Sequence, residues 1–284
     1  MEQIRRLSTP VNVAQVPQRS LFRYPGGKTW LVPILRKWLS FYKPKILLEP
    51  FAGGGIVSLT AVAENFVERA IMVEIDEDVA AVWKAVLNGY SDWLADKITN
   101  FTFNYETVKK VIADSPRSCH EKAFRTIVHN RAARGGILAN GAGLTKNGEN
   151  GKGISSRWYP STLVKRIKNI NSFQTKIDFF EGDAFPVIET HLHEKDTALF
   201  LDPPYVIAGR RLYRFNELNH IGLFALASRH QGPCLLTYED SKEIIYLAEK
   251  NGFLSRKVAM QNTHLAQKNE LLIARNFEWL ESEQ

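Results

Sequence analysis

The sequence predicts an α/β fold built on a mostly parallel sheet, interrupted by an inserted domain, and three observations predict it. Short apolar runs rich in β-branched and aromatic residues recur at 45–49, 70–75, 177–181, 198–201, 234–238 and 271–274, as in strands buried on both faces. Helical spacing falls between several of them. Val79, Val82, Trp83 and Val86 stand at i, i+3, i+4 and i+7, and Ile221, Phe224, Ala225 and Ser228 repeat the pattern before the Gln231-Gly232-Pro233 break, so strand and helix alternate. Between the second and third runs the pattern fails for about a hundred residues, far longer than an ordinary connection.

The 284 residues are 44% hydrophobic, enough for one large core or for a core carrying an insertion. No apolar run approaches a membrane span, and the first twenty residues lack the apolar stretch of a signal peptide, so the expectation is a soluble cytoplasmic protein. Cys119 and Cys234 lie far apart without a CxxC pairing, which points to buried free thiols rather than a disulfide or cysteine zinc site. His191 and His193 flank Leu192 in a polar stretch without further ligands nearby, and no metal is assigned. The net charge of +7 is unevenly placed: from 109 to 168, thirteen Lys and Arg face three acids, a net +10, so the remainder is negative by 3. A confined cationic segment is the expected footprint of a polyanion partner.

Along the chain, "RYPGGKTW" at 23–30 contains a Gly-Lys-Thr triplet, but the first glycine of a phosphate loop would fall at Phe22 and no buried strand precedes it. An ATPase is disfavoured, leaving Tyr24, Gly26, Gly27 and Lys28 as a tight turn that lays an aromatic ring and an ammonium against a small polar ligand. The first strand run leads into "EPFAGGG", with Phe51-Ala52-Gly53-Gly54-Gly55 between strand and helix, where nucleotide-like ligands approach a doubly wound sheet. A dinucleotide fingerprint would need glycine at Ser58, which disfavours a nicotinamide enzyme. The second strand run ends at Glu74, nineteen residues past Gly55, where an acid can accept bonds from both hydroxyls of a ribose. Asp76 is read as the cap of a helix over 77–87.

Within the insertion, a helix is expected over 119–134, apolar at Ala123, Phe124, Ile127 and Val128 and polar at Lys122, Arg125 and His129. The stretch after Arg134 carries six glycines and several asparagines before Gly153, a composition of turns and loops rather than packed structure. The fourth run ends in "FLDPPY". Pro203 and Pro204 lack N–H groups and fix φ, so the strand stops at Leu201. Two acceptors, the Asp202 carboxylate and the Pro203 carbonyl, could draw the exocyclic amine of a nucleobase toward tetrahedral geometry and free its lone pair. No local donor competes for them, and Tyr205 can stack on the base.

"RYPGGK", "EPFAGGG" and "DPPY", in that order and with a long basic insertion before the last, resemble the Dam-type (D12 class, alpha group) DNA adenine N6-methyltransferases; the likeness spans roughly residues 21–276 and includes the terminal "KNELLIARN". The resemblance implies a class I methyltransferase core, a twisted Rossmann-like sheet of about seven strands over 21–90 and 176–284, behind an N-terminal extension over 1–20. A helical and loop-rich target-recognition domain would occupy 91–175. It implies S-adenosylmethionine as methyl donor, with Tyr24, Lys28, Glu49, Phe51, Gly53, Gly55, Glu74, Asp183 and Asp202 around it, and Asp202, Pro203, Pro204 and Tyr205 as the catalytic motif. Tyr24 stands where the family more often has tryptophan, and Glu74 where it has aspartate.

Double-stranded DNA is then the expected partner, flipped at one adenine. Lys122, Arg125, Arg131, Arg134, Lys146, Lys152 and Arg157 are the candidate contacts, with Arg210, Arg211 and Arg214 closing over the base. The loop after Arg134 keeps only an outline of the family's recognition loop, so no target sequence follows. A monomeric, bacterial or phage-encoded enzyme is expected. Two alternatives stay open on the sequence: methylation of adenine in RNA, and a cofactor-binding DNA regulator without turnover.

Overall fold

The computed structural model describes residues 6–7, 16–23, 26–139, 141–148, 151–205, 217–261 and 267–281. Their strands join into one eight-stranded sheet. In chain order these are β1 (Arg6–Leu7), β2 (Ile46–Glu49), β3 (Arg69–Glu74), β4 (Ile177–Glu181), β5 (Thr197–Leu201), β6 (Cys234–Glu239), β7 (Leu254–Gln261) and β8 (Gln267–Ala274). Their spatial order is β1-β7-β8-β6-β5-β2-β3-β4. The pairs from β6 to β4 run parallel, while β8 is antiparallel to both β6 and β7. All six expected runs are strands. Two strands went unread: β1 is two residues long, and β7 reads LSRKVAMQ, too polar for a doubly buried run.

Alternate residues of the central strands serve opposite faces, as the period of two requires. Leu47, Met72, Phe200, Leu235 and Leu272 join one core with α1 (Val32–Tyr42), α2 (Ile56–Ala63) and α3 (Glu77–Leu87). Leu48, Ile71, Leu199, Leu236 and Ile273 join the other with α8 (Ala184–Thr190), α9 (His220–Arg229) and α10 (Lys242–Lys250). Helices on both faces of a largely parallel sheet leave the carboxyl ends of its strands as the open edge. The chain order reverses between β2 and β5, the switch point at which such sheets bind ligands.

The long interruption forms α4 (Ser91–Asn100), α5 (Tyr105–Ala113), α6 (Cys119–Ala132) and α7 (Pro160–Asn171). Leu94, Ile98, Ala123, Ile127, Leu163 and Ile167 pack into the same core as Val82 and Trp83 of α3, while Val108, Val128, Ala132 and Ile154 form a small core of their own with Phe101, Phe103 and Trp158. The helix expected to reach residue 134 stops at Ala132, because Ala133 turns extended and bridges Leu144, and the Arg134 N–H donates to the Gly143 carbonyl. Cys234 is buried as expected, but Cys119, at the first turn of α6, is exposed. Among the described residues no helix is long and apolar enough to cross a membrane.

Candidate active site

Four acidic side chains converge on the open edge because each ends, follows or begins a central strand: Glu49 ends β2, Glu74 ends β3, Asp202 follows β5, and Glu270 lies near the start of the reversed strand β8. Glu49, Glu74 and Glu270 are buried. Lys28 reaches Asp202 and Glu270 from near the other end of the chain. The short 3-10 turn Lys28–Leu31 precedes α1, and the lysine side chain is only 3% exposed. Its Nζ stands 2.9 Å from Asp202 Oδ1 and 3.4 Å from Glu270 Oε1, and it donates to the Gly26 carbonyl and to the Tyr205 hydroxyl, each at 2.9 Å. Burial works against the ammonium, but Asp202 and Glu270 more than offset it and hold its pKa above the usual lysine value.

Asp202 is partly open, its side chain 21% exposed. Thr237 of β6, fully buried, donates through Oγ1 to the same Oδ1 at 2.8 Å. Two donors hold this one oxygen in place. Tyr205 donates its hydroxyl to Glu270 Oε1, and its ring lies 6.3 Å from that of Tyr238 at a shallow 23°. Pro203 is buried and Pro204 half-buried, and β5 stops at Leu201, as two residues without N–H groups require.

The glycine loop is tied to β3. Gly53 N–H donates to Glu74 Oε2 at 2.8 Å and Asp76 N–H to Oε1 at 2.9 Å. Each oxygen accepts one of these backbone bonds and has lone-pair capacity for another. Burial raises the Glu74 carboxyl to about 7, against the pull of those amides. Glu49 accepts from Ser58 N–H at 2.8 Å, and burial raises it to about 8. Gly55 sits at φ +62 before α2, and a Cβ there would lie 2.7 Å from Met72 Cε and 2.8 Å from the Trp83 ring, which explains glycine by packing as well as by conformation. Asp76 caps α3, accepting from Asp78 and Val79 N–H groups, as expected. Asp183 is exposed and caps α8 through Phe185 N–H. Phe51 is half-buried against the α8 to α10 side of the sheet. Tyr24 lies outside the described residues.

The insertion grips the start of the lysine turn. Asn130 accepts from Arg23 N–H and donates to the carbonyls of Arg23 and Gly136; Arg131 donates to Leu21 O, and Arg166 to Ser20 O. Gly136, at φ +75, lets the backbones meet: a Cβ there would lie 2.1 Å from the Arg23 carbonyl oxygen. Arg131 is therefore buried, its charge disfavoured by burial and by Arg166, Arg23 and Arg157. It fixes the segment rather than facing outward as a phosphate contact would. Lys122 and Arg125 also differ from a free cationic face, because they pair with Glu77 at 2.7 Å and Asp78 at 2.9 Å on α3. Arg134, Lys146 and Lys152 are exposed and Arg157 is half-buried. Arg210, Arg211 and Arg214 lie outside the described residues.

Sequence reasoning passed over Glu270, Thr237 and Ile75. The signal for Glu270 was an acid opening the apolar run of "KNELLIARN". Ile75, 46% exposed directly after the buried Glu74, offers an apolar surface at the carboxyl end of β3.

An open-edge glycine loop with a buried acid at the next strand's end, on a sheet of this order, defines a class I S-adenosylmethionine-dependent methyltransferase core. The family model for D12 class N6 adenine-specific DNA methyltransferases matches residues 24–262, and the chain belongs to that family. It is a site-specific, S-adenosylmethionine-dependent DNA adenine N6-methyltransferase. No curated protein matches it. Among solved structures it is similar to the rRNA methyltransferase aviRa from Streptomyces viridochromogenes (10% identity, 98% of this chain and 100% of that one, TM-score 0.43). It is also similar to a methyltransferase from Geobacter sulfurreducens (11%, 86% and 78%, TM-score 0.38) and to precorrin-6y C5,15-methyltransferase from Geobacter metallireducens (11%, 92% and 89%, TM-score 0.38).

Proposed function

We propose that the methyl transfer takes place at Asp202, on an adenine flipped from duplex DNA into the space between the DPPY turn and the glycine loop. The observation that carries this reading is the fixing of the Asp202 carboxylate through one oxygen, Oδ1, by Lys28 and Thr237. Oδ2 is then the acceptor aimed at an N6–H, the Pro203 carbonyl takes the second N6–H, and the base rests on Tyr205. Preorganised acceptors of this kind supply much of a transition state's stabilisation. Bound S-adenosylmethionine supplies the methyl group from a sulfonium; the C–S bond electrons return to sulfur as the N6 lone pair forms the new N–C bond. Asp202 then stands where it can take the proton that N6 sheds.

The residues present suit this cofactor. Glu74 accepts its ribose hydroxyls, Ile75 lies against its adenine, and Gly53 and Gly55 let its methionine part approach the backbone. In this reading residues 91–175 recognise the target, with Arg134, Lys146, Lys152 and Arg157 toward the DNA. The enzyme works as a monomer in a bacterial or phage-infected cytoplasm.

The test uses isotope-labelled S-adenosylmethionine with mixed-sequence duplex DNA and with RNA, followed by nucleoside analysis. Label in N6-methyladenine from duplex DNA alone is the expected result. Label in RNA adenine, or in cytosine, would overturn the substrate reading.

A further inference from the structure

Glu270 is a buried carboxylate that the methyl-transfer reading does not use. It is 2% exposed, its Oε1 accepts from Tyr205 and faces Lys28 Nζ at 3.4 Å, and its Oε2 has no partner among the described residues. A buried ionisable group with one oxygen unsatisfied is costly to hold. Among the described residues its carboxylate meets the Tyr205 hydroxyl of the DPPY motif and Lys28, the lysine that fixes Asp202. Without Glu270, Asp202 would be the one carboxylate left to Lys28 among the described residues, and the Tyr205 hydroxyl would lose this acceptor. The ammonium would then pair more closely with Asp202 and compete with an incoming N6–H for the same carboxylate.

From this geometry we infer that Glu270 is a positioning residue for methyl transfer: it shares the Lys28 charge and anchors Tyr205, so that Asp202 stays available as an acceptor and the ring stays in place for the base. It acts through Lys28 and Tyr205 and touches no reacting atom. The inference rests on the reading of Asp202 as the reaction centre.

Glu270→Gln keeps the side chain's shape and removes its charge. The test compares single-turnover methylation, cofactor affinity, DNA affinity and melting temperature for this variant, for Tyr205→Phe, and for the two combined. The single-turnover rate of Glu270→Gln should fall about tenfold or more while both affinities stay within about threefold, the pattern of an interaction used in the transition state rather than in binding. Because Glu270 acts partly through the Tyr205 hydroxyl, the double variant should be faster than the product of the two single effects. Glu270→Asp, which restores the charge, should recover part of the rate.

A near-normal rate in Glu270→Gln overturns the inference, and so does a loss that follows both affinities and melting temperature equally, or strict multiplicativity with Tyr205→Phe. Asp202→Ala is run alongside. Should it retain activity, the reaction-centre reading fails; should it be inactive while Glu270→Gln is normal, only the role of Glu270 is lost.

Discussion

At the scale of single residues, burial sets the chemistry of the open edge. Glu74→Ala should weaken S-adenosylmethionine binding by about 1–3 kcal/mol, the range for buried hydrogen bonds involving a charged group, measured by calorimetry without DNA. Asp76→Ala should leave that affinity nearly unchanged and lower stability by about 0.5–2 kcal/mol, the loss of a helix cap. The reverse pattern would exchange the roles of the two acids. Glu49 gives a pH signature. Its folded pKa of about 8 lies above the ordinary 4.5, so between those values the folded state holds a proton that the unfolded state has released, and stability falls as pH rises through that window. Glu49→Gln removes this dependence. Its melting temperature should exceed that of the unmodified chain at pH 8 by more than at pH 5, and an equal difference at both would show that the carboxyl is not held protonated.

At the scale of elements, the residues that gather at the open edge were largely legible before the fold was known, because strand ends are marked locally: DPPY cannot extend a strand, and EPFAGGG cannot be regular structure. What escaped was whatever depends on distant pairing. Glu270 meets Lys28 across 242 residues, and nothing near "KNELL" announces the partner. The alternation in β7 is blurred by Ser255, Arg256 and Lys257, so its strand signal was weak. The cationic face of α6 looked available because its partners, Glu77 and Asp78, lie on another helix. The backbone contact between Gly136 and Arg23 gives an element-scale prediction. Gly136→Ala places a methyl carbon against a carbonyl oxygen at a positive φ, which should cost roughly 1–3 kcal/mol of stability and slow methylation by shifting the turn that carries Lys28. Unaltered thermal stability in this variant would mean that the insertion does not hold that turn.

At the scale of the whole molecule, the +7 charge separates into structural and outward-facing parts. Arg131 is spent on a main-chain carbonyl, and Lys122 and Arg125 on α3 acids, whereas Arg134, Lys146 and Lys152 are exposed. Each exposed cation that neutralises a phosphate contributes about −0.9 to the slope of log K against log salt. Alanine at Lys146 or Lys152 should flatten that slope by about one unit, while Lys122→Ala should leave it unchanged and act on stability. Equal slopes for all three variants would contradict this division. The most direct test of the central claim, that the carboxylate fixed by Lys28 and Thr237 is the methyl-transfer centre, is the single-turnover rate of Asp202→Ala on duplex DNA, measured with its DNA affinity. A loss of about a hundredfold or more with DNA binding retained is the predicted result; a rate close to that of the unmodified enzyme would contradict it.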